Sequence, residues 1–62
     1  MTRTVLAYYI EIDNGRIGPA WTLEGALEQA RDAETGGRTA IRIVQGADTV
    51  LEGDELRKRL GG

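Results

Sequence analysis

The chain contains no cysteine and no histidine. Without thiols there is no disulfide to staple the fold, and with neither thiol nor imidazole there is no ordinary structural zinc site. The same two absences exclude nucleophilic catalysis of the Ser-His or Cys-His kind. Long apolar runs are missing too, so no membrane span is expected. No basic stretch, apolar core and cleavage site stand at the start, so no leader is expected either. The expected location is the cytoplasm. There is also no surplus of cations: eight basic against ten acidic side chains leave a net charge of −2. That falls short of the Lys and Arg excess a general nucleic-acid binder uses to neutralise phosphates. Docking onto a basic protein surface is permitted.

Sixty-two residues make one domain, residues 1–62. A chain this short buries only about 60% of the surface its unfolded form exposes. A second copy or a bound protein partner is therefore a natural source of further burial.

The clearest segment is 22–37, TLEGALEQARDAETGG. Leu23, Ala26, Leu27, Ala30 and Ala33 recur at three- and four-residue spacing and form one apolar stripe, which predicts a helix. Thr22 is placed to N-cap it, and Trp21 to staple onto Ala26. Gly36-Gly37 ends it, because glycine takes the left-handed C′ conformation without steric cost.

Residues 4–13, TVLAYYIEID, read as a strand rich in β-branched and aromatic residues. Leu6, Tyr8, Ile10 and Ile12 form a uniformly apolar face to meet the helix; Val5, Ala7, Tyr9, Glu11 and Asp13 form the other. Asn14-Gly15 predicts a hairpin turn. Arg16-Ile17-Gly18 is a short return strand, ended by Pro19. Residues 38–45 predict a third strand, with Thr39, Ile41 and Ile43 on one face and Ala40, Arg42 and Val44 on the other. Gly46-Ala47-Asp48 turns the chain into a short fourth strand, 49–51. Residues 54–60 close as a short helix capped by Asp54, with Leu56 and Leu60 on one side. The fold class is α+β in the order ββαββα, a mostly antiparallel sheet of order 2-1-3-4 with one main helix on one face and a short C-terminal helix. The opposite sheet face, with Val5, Ala7 and Tyr9 beside Ala40, Arg42 and Val44, is left uncovered.

The remaining chemistry is sparse. Glu24, Glu28 and Asp32 lie four residues apart on the outer helix face, with Arg31 within salt-bridge reach of Glu28. Nothing in the sequence desolvates them, so nothing tunes them for acid–base work. Asp48, Glu52, Asp54 and Glu55 lack the alternating oxygen-ligand pattern of a calcium loop and serve as turn and cap residues. Gly15-Arg16-Ile17-Gly18 matches the G-x-x-G string of a KH loop but sits in a hairpin rather than between helices. Gly36-Gly37 follows a helix C-terminus and so cannot cradle phosphate as an N-terminal loop does. No metal, cofactor or catalytic residue is expected. Arg57-Lys58-Arg59 complements the negative end of the last helix.

Two features resist a purely structural account. Gly25 is assigned to the outward side of the helix, where it costs about 1 kcal/mol relative to alanine; it reads either as drift or an eased first turn, or as a place where a partner's surface approaches closely. The uncovered sheet face carries Tyr9 and Arg42, residue types enriched at binding hot spots. Either a second copy or a foreign protein would cover it. The candidate partner-binding residues are thus Tyr9, Arg42 and Val44 on the sheet and Glu24, Glu28 and Asp32 on the helix edge.

Two resemblances bear on function. Leu60-Gly61-Gly62, with Gly53-Asp54-Glu55-Leu56 upstream and a ββα start, resembles the β-grasp sulfur carriers and ubiquitin-like modifiers. That implies a C-terminal Gly-Gly carboxylate activated by adenylation. The family places a central apolar strand before the Gly-Gly, whereas residues 55–60 carry adjacent cations and helical leucine spacing. The pattern Ala7-Tyr8-Tyr9-Ile10, then Ala26 to Gln29-Ala30, then Gly37 leading into Ile41-Arg42-Ile43, resembles small phage-encoded inhibitors of the anti-CRISPR type. It implies a non-enzymatic protein that covers a nucleic-acid site or a subunit interface on a host complex. The reading is a non-enzymatic protein-binding or inhibitor domain, with the carrier as its alternative.

Overall fold

The computed structural model describes residues 6–61. Their elements follow the expected order: β1 (Tyr8–Ile12), β2 (Gly15–Ala20), α1 (Leu23–Thr35), β3 (Ala40–Gln45), β4 (Asp48–Glu52) and α2 (Gly53–Gly61). The strands form one antiparallel sheet of order β2-β1-β3-β4. Of the expected first strand, Thr4 and Val5 lie outside the described residues, Leu6 and Ala7 precede the ladder, and Asp13 belongs to the turn.

Both helices lie on one side of the sheet and share one core. Ile10 and Ile12 of β1, Ala20 of β2, Ala26, Leu27 and Ala30 of α1, Ala40 and Ile43 of β3, Leu51 of β4 and Leu56 of α2 form a single buried cluster. Of the apolar face predicted for β1, Ile10 and Ile12 meet the helix and Tyr8 packs at the margin, whereas Leu6 stands 49% exposed before the strand. Leu56 is fully buried, with Leu60 against the same cluster one turn on.

Each strand pairing contains one register shift. A bulge sets two residues against one and turns the strand's alternation over. Between β1 and β3, Glu11 pairs with Arg42 but Ile12 with Ala40, leaving Ile41 as the extra residue. Strict alternation therefore fails in β3: Ala40 joins the core with Ile43, and Ile41 stands 43% exposed. The expected grouping of Ala40 with Arg42 and Val44 is corrected accordingly. In β4 the extra residue is Val50, so Val50 and Leu51 both turn to the core.

The second strand does not stop at Pro19. β2 runs to Ala20 through a cis Gly18–Pro19 bond, with a register shift between the Tyr8–Ala20 and Ile10–Ile17 pairs. Proline is tolerated there because β2 is an edge strand and the bulge removes the demand for a ladder donor. The hairpin turn is Asp13-Asn14 rather than Asn14-Gly15: Ile12 pairs with Gly15, and the positive φ (155°) falls on Gly15 at the turn exit. Gly46 takes φ 63° as the first central residue of the β3–β4 turn. Asp54 is not the cap of α2; the helix begins at Gly53 and Asp54 lies in the first turn, facing the positive end of the dipole.

The ends of α1 are built as the sequence dictates. Thr22 is extended (φ −134°, ψ 158°) and its Oγ1 accepts from the Gly25 amide at 3.0 Å. At the other end Gly37 N donates to Glu34 O at 3.1 Å and Arg38 N to Ala33 O at 3.0 Å, with Gly37 at φ 90°. That pair of bonds is the Schellman arrangement, and it aims the chain into β3. Trp21 is 64% exposed and does not pack on the core cluster that holds Ala26, so the expected staple does not form.

Candidate functional site

The sheet face away from the helices carries a row of charge. Arg16 of β2, Glu11 of β1, Arg42 of β3 and Glu52 of β4 stand opposite one another in consecutive strands. Arg16 donates from Nη2 to Glu11 Oε2 at 2.7 Å, and Arg42 Nε lies 3.5 Å from Glu11 Oε1. The second contact is an ion pair by distance without hydrogen-bond geometry, and Arg42 Nε finds no hydrogen-bond partner among the described residues. Beside this row Tyr9 pairs with Val44. The Tyr9 ring is half-buried against Gly18, whose missing Cβ would stand 2.8 Å from Tyr9 Cδ1, and the Arg16 guanidinium carbon sits 5.6 Å from the ring centroid. Val44 is only 8% exposed, although it stands outside the helix-side core cluster. The face therefore presents Tyr9, Ile41 and a charge row, with Val44 largely covered by its neighbours.

The helix edge is different in kind. Glu24, Glu28 and Asp32 are all exposed along α1. Among the described residues no cation lies in ion-pair distance of any of them. Arg31, expected to pair with Glu28, donates from Nη2 to the Arg59 carbonyl at 2.9 Å, where a helix C-terminus leaves acceptors open.

The two helices and the sheet are tied together by one fork that the sequence reading missed. Arg57 Nη1 and Nη2 donate to Glu34 Oε1 and Oε2 at 3.0 and 2.6 Å, and Nη2 also donates to the Ala40 carbonyl at 2.9 Å. Glu34 Oε2 in turn accepts from Ala40 N at 3.1 Å. The Arg57 hydrogen bonds, helped by the Ala40 amide and the cation's charge, hold the Glu34 carboxyl below its ordinary value of 4.5 against a smaller opposing push from burial. The same pairing raises Arg57 above its ordinary value. Arg57 thus holds α2 in place rather than simply complementing its dipole; Lys58 and Arg59 occupy the last turn. An open depression of about 350 Å³ beside this fork is lined by Arg31, Glu34, Thr35 and Leu60. Its cation and its acid are already engaged in joining the helices, which gives the hollow no convergent reactive groups.

The chain matches no family model, no curated protein and no solved structure.

The geometry also reassigns Gly25. It is half-buried, and a Cβ there would stand 3.2 Å from Thr22 Oγ1 and 3.8 Å from Ala20 Cβ. The glycine makes room for the N-cap and for the end of β2, and its cause is internal rather than a partner's approach. Among the described residues no three acidic side chains gather as metal ligands, and no helix is long and apolar enough to cross a membrane.

Proposed function

We propose that the protein is a non-enzymatic binding domain, an inhibitor in effect, which docks the acidic edge of α1 onto a basic surface of a protein partner. The observation that carries this reading is the row Glu24, Glu28 and Asp32, which no cation among the described residues pairs, while Arg31 is drawn to the Arg59 carbonyl. Successive members lie about 6 Å apart along the axis, a spacing that suits a basic groove. Such a row guides encounter and fixes orientation through complementary potential. Trp21, 64% exposed immediately before the N-cap, supplies an aromatic side chain of the type that dominates interfaces. The resemblance to anti-CRISPR-type inhibitors adds a target class: a nucleic-acid site or subunit interface on a host complex, where acidic side chains take the place of phosphates.

The β-grasp carrier is the alternative: the ββα start is shared with that family, whereas Gly53–Gly61 is helical where the family runs a strand into its terminal glycines.

Capture from host lysate at physiological salt tests the reading. The wild-type chain retains a defined partner. The folded Glu28→Arg/Asp32→Arg variant loses about tenfold or more in apparent affinity, about 1.4 kcal/mol. Unchanged capture by that variant overturns the assignment to the helix edge.

A further inference from the structure

The charge row on the open sheet face has a sign pattern that singles out one occupant. From β2 to β4 it reads Arg16, Glu11, Arg42, Glu52: plus, minus, plus, minus. Within the chain the charges are not evenly matched. Glu11 is shared between two arginines, whereas Glu52 makes no ion pair among the described residues. The group Arg16, Glu11 and Arg42 across β2, β1 and β3 therefore carries one surplus positive charge, and the β4 edge a carboxylate without an ion-pair partner among the described residues.

A row that changes sign when read backwards is complementary to its own reversal. Two such faces meet across a two-fold axis lying in the interface. If that axis runs along the strands between β1 and β3, β2 of one copy lies over β4 of the other, and β1 over β3. Arg16 then meets Glu52 of the second copy, and Glu11 meets Arg42. In the adjoining row Tyr9 lies over the β3 position of Val44, which is already largely covered within its own chain. A two-fold axis running across the strands along this row sets each charge on its own like and is disfavoured by repulsion. We propose that this face is the contact between two copies of the chain, packed sheet on sheet about the axis that runs along the strands.

The magnitude of the association follows from the area. Four strands about 4.8 Å apart and five residues long, at about 3.3 Å each, offer roughly 300 Å² per copy. Stable interfaces use about 800 Å² per partner. The dimer is accordingly weak, salt-sensitive and concentration-dependent. It is independent of the acidic edge of α1, which lies on the helix side of the molecule, so a Glu28→Arg/Asp32→Arg chain still dimerises.

Light scattering on the full chain at low salt, up to about 1 mM, reads the state directly. The wild type moves from monomer to dimer mass as concentration rises. A mass that stays monomeric throughout overturns the proposal. Arg16→Glu and Glu52→Arg, each checked for folding by circular dichroism, place like charges opposite one another in their own homodimers and weaken association by about tenfold or more. Mixed one to one, the two variants restore each lost pair across the interface, and the mixture returns to wild-type association. Variants that dimerise as well as wild type, or a mixture no better than its components, overturn the proposal. Should a reversal unfold the chain, Arg16→Gln and Glu52→Gln decide the matter, since each must weaken the dimer.

Discussion

Gly25 and Gly18 are both positions where an absent Cβ is used, but for different reasons. At Gly25 the backbone is helical and alanine would ordinarily gain about 1 kcal/mol. The Cβ would crowd Thr22 Oγ1 at 3.2 Å, so the gain is spent on disturbing the cap. In urea titrations, Thr22→Ala costs about 1 kcal/mol in the wild type. Gly25→Ala alone gives no net gain, whereas on the Thr22→Ala background it recovers most of the propensity difference. Additive effects in that double-mutant cycle would show that the two side chains do not meet. At Gly18 the backbone itself is at φ 137°, and a Cβ would also strike the Tyr9 ring at 2.8 Å. Gly18→Ala costs about 1–3 kcal/mol by the same measurement. Adding Tyr9→Ala relieves the contact but leaves the backbone part of the penalty.

Among elements, α2 depends on two side chains. Leu56 is fully buried, and Leu56→Ala costs about 2–5 kcal/mol. Domains this small hold only about 3–5 kcal/mol in their core, so the expected result is loss of a cooperative thermal transition. Arg57 adds the fork to Glu34, whose side chain is 28% exposed, which limits the pair to about 1 kcal/mol. The sign of its pH dependence is fixed by direction. Glu34 titrates lower in the folded chain than its ordinary 4.5, so its contribution is present above that pH and is lost as pH falls through the depressed folded value. Stability curves of wild type and Glu34→Gln therefore differ at neutral pH and converge in acid. A constant gap down to pH 2 would remove Glu34 from the account.

At this same scale the sequence was legible unevenly. The helix Leu23–Thr35 announces itself through stripe, cap and glycines, and the strand order follows from the element order. What periodicity could not show were the bulges. Ala40 and Ile41 look interchangeable to an alternation rule, and only pairing with Ile12 decides that Ala40 goes inward. Pro19 misleads because its missing donor is harmless on an edge, and nothing local states which strand will be an edge. The Glu34–Arg57 fork joins residues 23 apart in sequence, beyond any local pattern. Of the candidate site, the acidic edge was readable from helical spacing. The charge row on the sheet needed the registers of three pairings at once.

For the molecule as a whole, two surfaces of different character lie on opposite sides of one thin core. If the sheet faces associate, mass action adds stability that grows with concentration. The melting temperature of the wild type then rises over a hundredfold increase in concentration, while Arg16→Glu shows no such rise. A melting temperature independent of concentration in both proteins would leave the sheet face solvent-exposed in solution.

The edges of that sheet have a further consequence. At one border the strand carries Pro19, which has no amide proton, beside a register shift; at the other, β4 is five residues long and interrupted at Val50. Neither border offers an unbroken template for another strand to zip onto. Such borders disfavour sideways growth into fibrils; the expected outcome is that replacing Pro19 by valine raises thioflavin-positive aggregation over the wild type on prolonged incubation, and equal aggregation would remove Pro19 from that role.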